Sequence, residues 1–328
     1  MPSPSISLTS RVSDFFLHPR YPHDCIEICA DRCVAASIQP KNDKIVIRSA
    51  HMEEIPAGVI EPHFSQRNIA KEDVAKQICE RALKKAGIEP GPLTLLIPEG
   101  GVKVTIFDDF ESLPSEPQHV RDLILHKLKK VLPFPSNEAA LSYQILRKPP
   151  KPILLSVVIH NGILAQYYEM ISGLGYELGC VDIPSFNLLA AINRMELDRQ
   201  PDSSMLILNH DRSYISQTLI SGGNVVLFRT KTRDLTGDPV ESRLSVIIED
   251  LLATARYYED KISNGRPITT VIVRETTGAL DALLDRMHTE IPSKILVGGL
   301  PELVEAGGEA PSPITAQILL PLIGAALR

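Results

Sequence analysis

The sequence predicts a mixed α/β protein of two lobes, each built on the same repeated unit, with a small α/β subdomain inserted in the first. Three observations carry this. A three-strand meander followed by a helix and a strand opens the chain after residue 21. The same order returns after residue 203, and between the copies a helix-strand-strand-helix-strand run over residues 113 to 182 belongs to neither. At 328 residues the chain is also too long for one small core. A duplicated ribonuclease-H-like unit is the fold that fits this order.

The elements follow from local pattern. Residues 1 to 20 lack the continuous apolar run of a secretory signal and read as a flexible lead-in. DCIEICA, CVAASIQ and KIVIRSA are three short strands separated by Asp31-Arg32 and by Lys41-Asn42-Asp43. Residues 71 to 86 place Val74, Ile78, Ala82 and Leu83 on one helical face, and Gly87 caps them. Pro90-Gly91-Pro92 is a turn, residues 93 to 97 a buried strand, and Gly100-Gly101 leads to a strand over 102 to 107. The acidic, proline-bearing stretch 108 to 117 marks a subdomain entrance.

Residues 118 to 131 put Val120, Leu123, Ile124, Leu128 and Val131 at helical spacing. Pro133 and Pro135 stop that helix, because each lacks an N–H and biases its predecessor toward extended geometry. Asn137 and Glu138 form a polar break before strands at 139 to 146 and 153 to 160. A helix over 163 to 174 ends at Gly173 and Gly175, a strand covers 176 to 181, and Pro184 opens a helix to about residue 195. After a linker at 198 to 203, strands at 205 to 209, 214 to 220 and 225 to 230 repeat the meander, with Gly222-Gly223-Asn224 as a hairpin turn. A helix over 241 to 262, a strand over 269 to 273, a helix over 278 to 287, a strand over 294 to 297 and a helix over 314 to 327 complete the copy. The expected division is a first lobe at 21 to 112, the insertion at 113 to 182, a return helix at 183 to 200, and a second lobe at 201 to 328.

Composition narrows the function. Hydrophobic content of 44% and charge of 23% are values of a globular chain. A formal net charge of −6 without a long basic run argues against a nucleic-acid surface, and the lack of Trp leaves little for base stacking. Five cysteines, an odd number, suit reduced thiols and a cytoplasmic setting, and no run of eighteen apolar residues marks a membrane span. Cys25, Cys29 and Cys33 lack the paired C-x2-C spacing of zinc sites, so buried, structural thiols and no metal are expected. His119 and His126, two turns apart on the helix over 118 to 131, are expected to face solvent. Gly298-Gly299 reads as a strand-end turn.

Four stretches carry a family resemblance: the corner VLPFPSNEAALSYQIL at 131 to 146, YYEMISGLGYELGCVDIPSF at 167 to 186, IIEDLLATARYY at 247 to 258, and the closing ITAQILLPLIGAALR. Together they resemble the PilM family of type IV pilus assembly proteins, within the actin-like ATPase superfamily; the cytoplasmic part of the type II secretion L component shares the architecture. The resemblance implies a nucleotide site between the lobes, against two glycine-bearing hairpins and a Gly-Gly loop. Glycines there let phosphates approach backbone N–H groups that a Cβ would obstruct.

This chain departs from that pattern at all three places. The first hairpin reads Glu27-Ile28-Cys29-Ala30-Asp31-Arg32, the second Asn209-His210-Asp211-Arg212, and the third loop runs Arg274-Glu275-Thr276-Thr277 with Gly278 alone remaining. The expectation is lost nucleotide chemistry: no catalytic residue and no ATP or Mg²⁺ cofactor, although Arg32 and Arg212 are placed to meet phosphate charge directly. The resemblance then implies a non-catalytic cytoplasmic scaffold, peripheral to the inner membrane only through its partner. That partner would be a bitopic pilus assembly protein whose cytoplasmic tail docks near Leu132, Pro133 and Phe134. The alternatives are an active ATPase or small-molecule kinase of the superfamily, and a filament-forming actin-like protein.

Overall fold

The computed structural model describes residues 22–41, 44–147, 152–194, 203–232, 239–299, 304–306 and 313–327. The lead-in at 1 to 20 and most of the 198 to 203 linker lie outside these residues. The first copy begins with strands β1 (Asp24–Ile28), β2 (Arg32–Lys41) and β3 (Lys44–Glu54), followed by helix α1 (Glu72–Lys85) and strand β4 (Pro92–Leu96). β1 and β2 pair antiparallel, as do β2 and β3, whereas β4 joins β1 in parallel. Helix α1 closes as its pattern demands. Gly87 takes φ +65°, its N–H donates to Lys84 O, and the Ile88 N–H donates to Leu83 O, which satisfies two terminal carbonyls. Its buried face is Ala75, Ile78, Cys79, Ala82 and Leu83. Val74, expected on that face, is exposed instead, because the stripe is rotated by one residue.

Next come β5 (Val102–Phe107), α2 (Pro117–Leu128), β6 (Ala139–Arg147), β7 (Ile153–His160), α3 (Asn161–Ser172), β8 (Glu177–Asp182) and α4 (Pro184–Ile192). Strands β5, β7 and β6 form a separate antiparallel sheet, covered by the Val120, Ile124 and Leu128 face of α2. Helix α2 ends at Leu128, so Val131 falls on the following turn and is exposed rather than part of the apolar stripe.

The inserted unit therefore differs from the segment 113 to 182. Strand β5 belongs to it, while β8 pairs in parallel with β4 and α3 packs its Ile163, Tyr167, Met170 and Ile171 into the first-lobe core. The alternation of helices and strands is right, but hydrogen-bond pairing, which local pattern does not specify, decides which sheet each strand joins.

The second copy has β9 (Ser204–His210), β10 (Tyr214–Ser221), β11 (Asn224–Thr232), α5 (Val240–Lys261), β12 (Thr270–Glu275), α6 (Leu280–Glu290) and β13 (Lys294–Val297). Gly222 and Gly223 have φ +55° and +76°, the backbone a tight two-residue hairpin requires. The sheet orders β3-β2-β1-β4-β8 and β11-β10-β9-β12-β13 match strand for strand, so the duplication is real in space.

Two later elements leave the second lobe. Strand β14 (Val304–Ala306) adds in parallel to β3, and helix α7 (Pro313–Ala326) packs Ile318, Leu319, Leu322 and Ile323 on the β1–β2–β3 face. Conversely α4 buries Leu188, Ala191 and Ile192 against Ile207 of β9 and Ile272 of β12. The two lobes thus exchange helices. Helices α4 and α7 touch along their length, and a Cβ at Gly324 would overlap the Asn187 carbonyl. No helix among the described residues is long and apolar enough to cross a membrane.

Candidate functional site

The exchange of α4 and α7 brings the two hairpins and the end of β12 together between the lobes, at the carboxyl ends of parallel strands where α/β sheets commonly hold ligands. Every candidate cleft residue from the sequence lies in this region. In the β1–β2 turn, Cys29 N–H donates to Arg32 O (2.8 Å), and Ile55 N–H donates to Asp31 O (2.7 Å). In the β9–β10 turn, Asp211 N–H donates to Tyr214 O (3.0 Å). Asn264 is the one non-glycine residue with positive φ among those described. Ala30, Asp31, Asp211 and Arg212 therefore hold their turns without the glycine geometry, and glycine there would serve close approach of a ligand rather than the backbone itself.

The side chains lock across the cleft. Arg32, from the first lobe, pairs with Asp31 at 3.1 Å and makes a short ion pair with Asp211 of the second lobe. Thr276 Oγ1 donates to the same Asp211 oxygen at 3.1 Å. Arg274, from the second lobe, reaches back: its Nη2 lies 3.4 Å from Glu27 Oε1, its Nη1 donates to Asn209 Oδ1 at 2.8 Å, and its Nε donates to Gln317 O at 2.8 Å. Asn209 Nδ2 lies within 3.3 Å of Glu99 Oε1, Ser185 Oγ and the Tyr214 hydroxyl. Glu27, Asn209, Asp211 and Arg274 are completely buried and Arg32 nearly so. Arg212 is half exposed, 3.8 Å from Asp31.

Two helix N-termini in the cleft are also capped from within. Glu99 accepts from Ser185 N–H of α4 at 2.7 Å. Glu275 accepts from Thr277 N–H at 2.6 Å, Gly278 N–H at 3.1 Å and Ala279 N–H at 3.0 Å, at the entrance to α6. Gly278, at φ +85°, supplies that turn.

The charges titrate in opposite senses. Burial pushes Glu27 and Glu99 up; for Glu27 the neighbouring Arg274 and Arg32 oppose it, and for Glu99 the bonds from Ser185 and Ser216. Burial also works against ionised Asp211, but Arg32 and Arg274 outweigh it and hold its carboxyl below the usual range. Burial disfavours both cationic arginines, and their carboxylate partners more than restore them.

A cavity of about 430 Å³ opens at the cleft mouth, lined by Ala30, Asp31, Ile55, Gly58, Arg212 and Ser213 among others. Asp211 and Glu275 set carboxylates against donors that a phosphate chain would use.

The sequence missed Glu99, Ser185 and Gln317 as members, and gave Glu275 and Thr276 only as residues of the third loop, without a role. A signal existed for Glu99, an acid directly after a buried strand and before Gly100-Gly101. None existed for Gln317, which sits in an apolar helix far along the chain.

At the inserted sheet, Leu132 and Phe134 are half-buried and Pro133 is exposed. The Phe134 ring meets Phe64 of the first lobe at 5.1 Å and His160 edge-on at 4.7 Å. The corner thus stands at the junction of the two units. His119 and His126 are exposed, and Cys25, Cys29 and Cys33 are buried, with Cys33 Sγ 3.8 Å from Cys79 Sγ.

No family model matches the chain, and no curated protein matches it. Solved structures do. A PilM–PilN type IV pilus biogenesis complex aligns with TM-score 0.77 at 15% identity, covering 94% of this chain and 97% of that one. A Bacteroides thetaiotaomicron protein with an actin-like ATPase fold and unknown function aligns at TM-score 0.52 and 14% identity, over 87% of this chain and 93% of that one. The ethanolamine utilization protein EutJ from Carboxydothermus hydrogenoformans aligns at 0.50 and 10% identity, over 98% and 97%. The chain has the actin-like ATPase fold.

Proposed function

We propose that this chain is a nucleotide-independent scaffold of a type IV pilus or related machine, which grips the cytoplasmic tail of a bitopic inner-membrane assembly protein and turns over no ATP. The observation that carries the reading is the buried ionic network. At the three places where the fold would meet phosphates and adenosine, side chains of the chain itself fill the cleft, three of them carboxylates: Glu27, Asp211 and Glu275. Extensive likeness to the PilM chain of a PilM–PilN complex supports the choice of machine. The half-buried Leu132 and Phe134, at the junction of the first lobe and the inserted sheet, offer an apolar surface suited to an extended peptide. On this reading the protein is cytoplasmic and reaches the membrane only through its partner.

The second reading, an ATPase or small-molecule kinase, draws on the cleft-mouth cavity and half-exposed Arg212. Calorimetry separates the two. On the scaffold reading, Mg-ATP titrated into the protein gives no saturable heat. A synthetic peptide of the partner's cytoplasmic segment binds, and Phe134→Ala weakens it about tenfold or more, as for a central aromatic contact. Micromolar Mg-ATP binding with turnover would sink the scaffold reading.

A further inference from the structure

Loss of nucleotide motifs would be satisfied by inert, apolar cleft walls. The cleft instead pairs its donors with acceptors from the chain's own side chains. Glu99 faces the N-terminus of α4, Glu275 faces the N-terminus of α6, and Asp211 faces Arg32 and Thr276. The third case goes furthest, because its donors come from both lobes. Arg32 opens β2 of the first lobe, whereas Thr276 follows β12 of the second and is held by its N–H donating to His210 O at 3.2 Å. Asp211 is completely buried, so its carboxylate meets no bulk water. One donor and one acceptor of this pairing are left unused: Arg32 Nε and Asp211 Oδ1 have no hydrogen-bond partner. An ordinary buried ion pair would be expected to satisfy those atoms.

We propose that the Asp211 carboxylate is an internal ligand, occupying an oxyanion-binding site built by Arg32 and Thr276 and thereby holding the two lobes closed on each other. The proposal rests on the reading that this cleft takes no nucleotide, and it adds what stands in the nucleotide's place. The external ligand class of the site, once the side chain is removed, is a small oxyanion: a planar carboxylate or a tetrahedral phosphate. Position 211 has no positive φ, and the turn has a backbone bond of its own, from the Asp211 N–H to Tyr214 O. Replacement by glycine empties the site while leaving the backbone free to keep its Tyr214 bond.

The test is chemical rescue of Asp211→Gly. Thermal unfolding of the full chain is followed in sodium formate, in sodium phosphate and in sodium chloride of matched ionic strength. Formate or phosphate is expected to raise the variant's midpoint saturably, by about 1.5 °C more than it raises that of the wild-type protein, as a ligand at several times its Kd does. The double variant Asp211→Gly with Arg32→Met is expected to show no such rise. Should Asp211→Gly not fold in plain buffer, Asp211→Ser, which leaves a smaller void, goes through the same series. Equal response to chloride would reduce the effect to screening and overturn the proposal. Lack of rescue in both variants would overturn it as well. Mg-ATP binding by the wild-type protein strikes at the scaffold reading and, through it, at the premise of the internal ligand; missing rescue strikes only at the internal ligand.

Discussion

Arg274 is among the largest completely buried side chains of the described residues, and its three partners come from three separate segments. One partner exists because of a proline. Pro321 lies inside α7 and has no N–H to give to the carbonyl four residues before it, that of Gln317. Arg274 Nε donates to that carbonyl. A helix defect thus becomes an acceptor for the cleft. Glu99 gives a prediction at the same scale. Its carboxyl is pushed up by burial, so its folded pKa lies above the unfolded value of about 4.3. The protonated form is the one the fold favours: its contribution is full below the unfolded pKa and is lost as pH rises through the folded one. Glu99→Gln does not titrate, so its melting temperature relative to wild type should improve from pH 4 toward pH 8. A difference that stays constant over that range would refute the assignment.

Packing between elements is tightest where α4 crosses α7. Each helix serves the other lobe's sheet, so the crossing cannot move apart without opening two cores. Gly324 allows the approach, since any side-chain carbon there would collide with backbone at Asn187. Backbone cannot rotate away as a flexible side chain does. Gly324→Ala should therefore destabilise by about 3 kcal/mol, at the upper end of overpacking costs, read as a lower urea midpoint with unchanged slope. A shift under about 0.5 kcal/mol would mean that the helices yield at this point.

Across the whole molecule, the helix exchange and the two arginine arms of opposite direction act on the same joint. Arg32 reaches from the first lobe into the second, and Arg274 from the second into the first. Neither lobe keeps a complete core once the other unfolds, because α7 covers the first sheet and α4 the second. Urea unfolding should be one transition. Tyr167 reports on the first-lobe core and Tyr214 and Tyr258 on the second lobe, all completely or nearly completely buried. Near-ultraviolet circular dichroism of variants lacking one reporter or the other should give the same midpoint as far-ultraviolet dichroism. Two separated midpoints would show lobes that fold independently.

Local pattern in the sequence was enough for the elements other than β14, for the duplication and for the absence of glycine from the two hairpins. These rest on residue periodicity, on Pro and Gly punctuation, and on residue identity at the hairpins, all of which are local. The sequence also placed Glu27, Arg32, Asn209, Asp211 and Arg274 in one region through the resemblance, though as degenerate positions rather than as partners of one another. Packing in three dimensions sets the rest: β5 joins the inserted sheet and β8 the first lobe, α4 and α7 change lobes, and the charges pair across the cleft. Arg32 and Asp211 stand 179 positions apart and Arg274 and Glu27 247. Nothing in the neighbourhood of either residue encodes its partner, because a buried charge needs an opposite charge in space, and which one it meets is settled by how the sheets and helices pack.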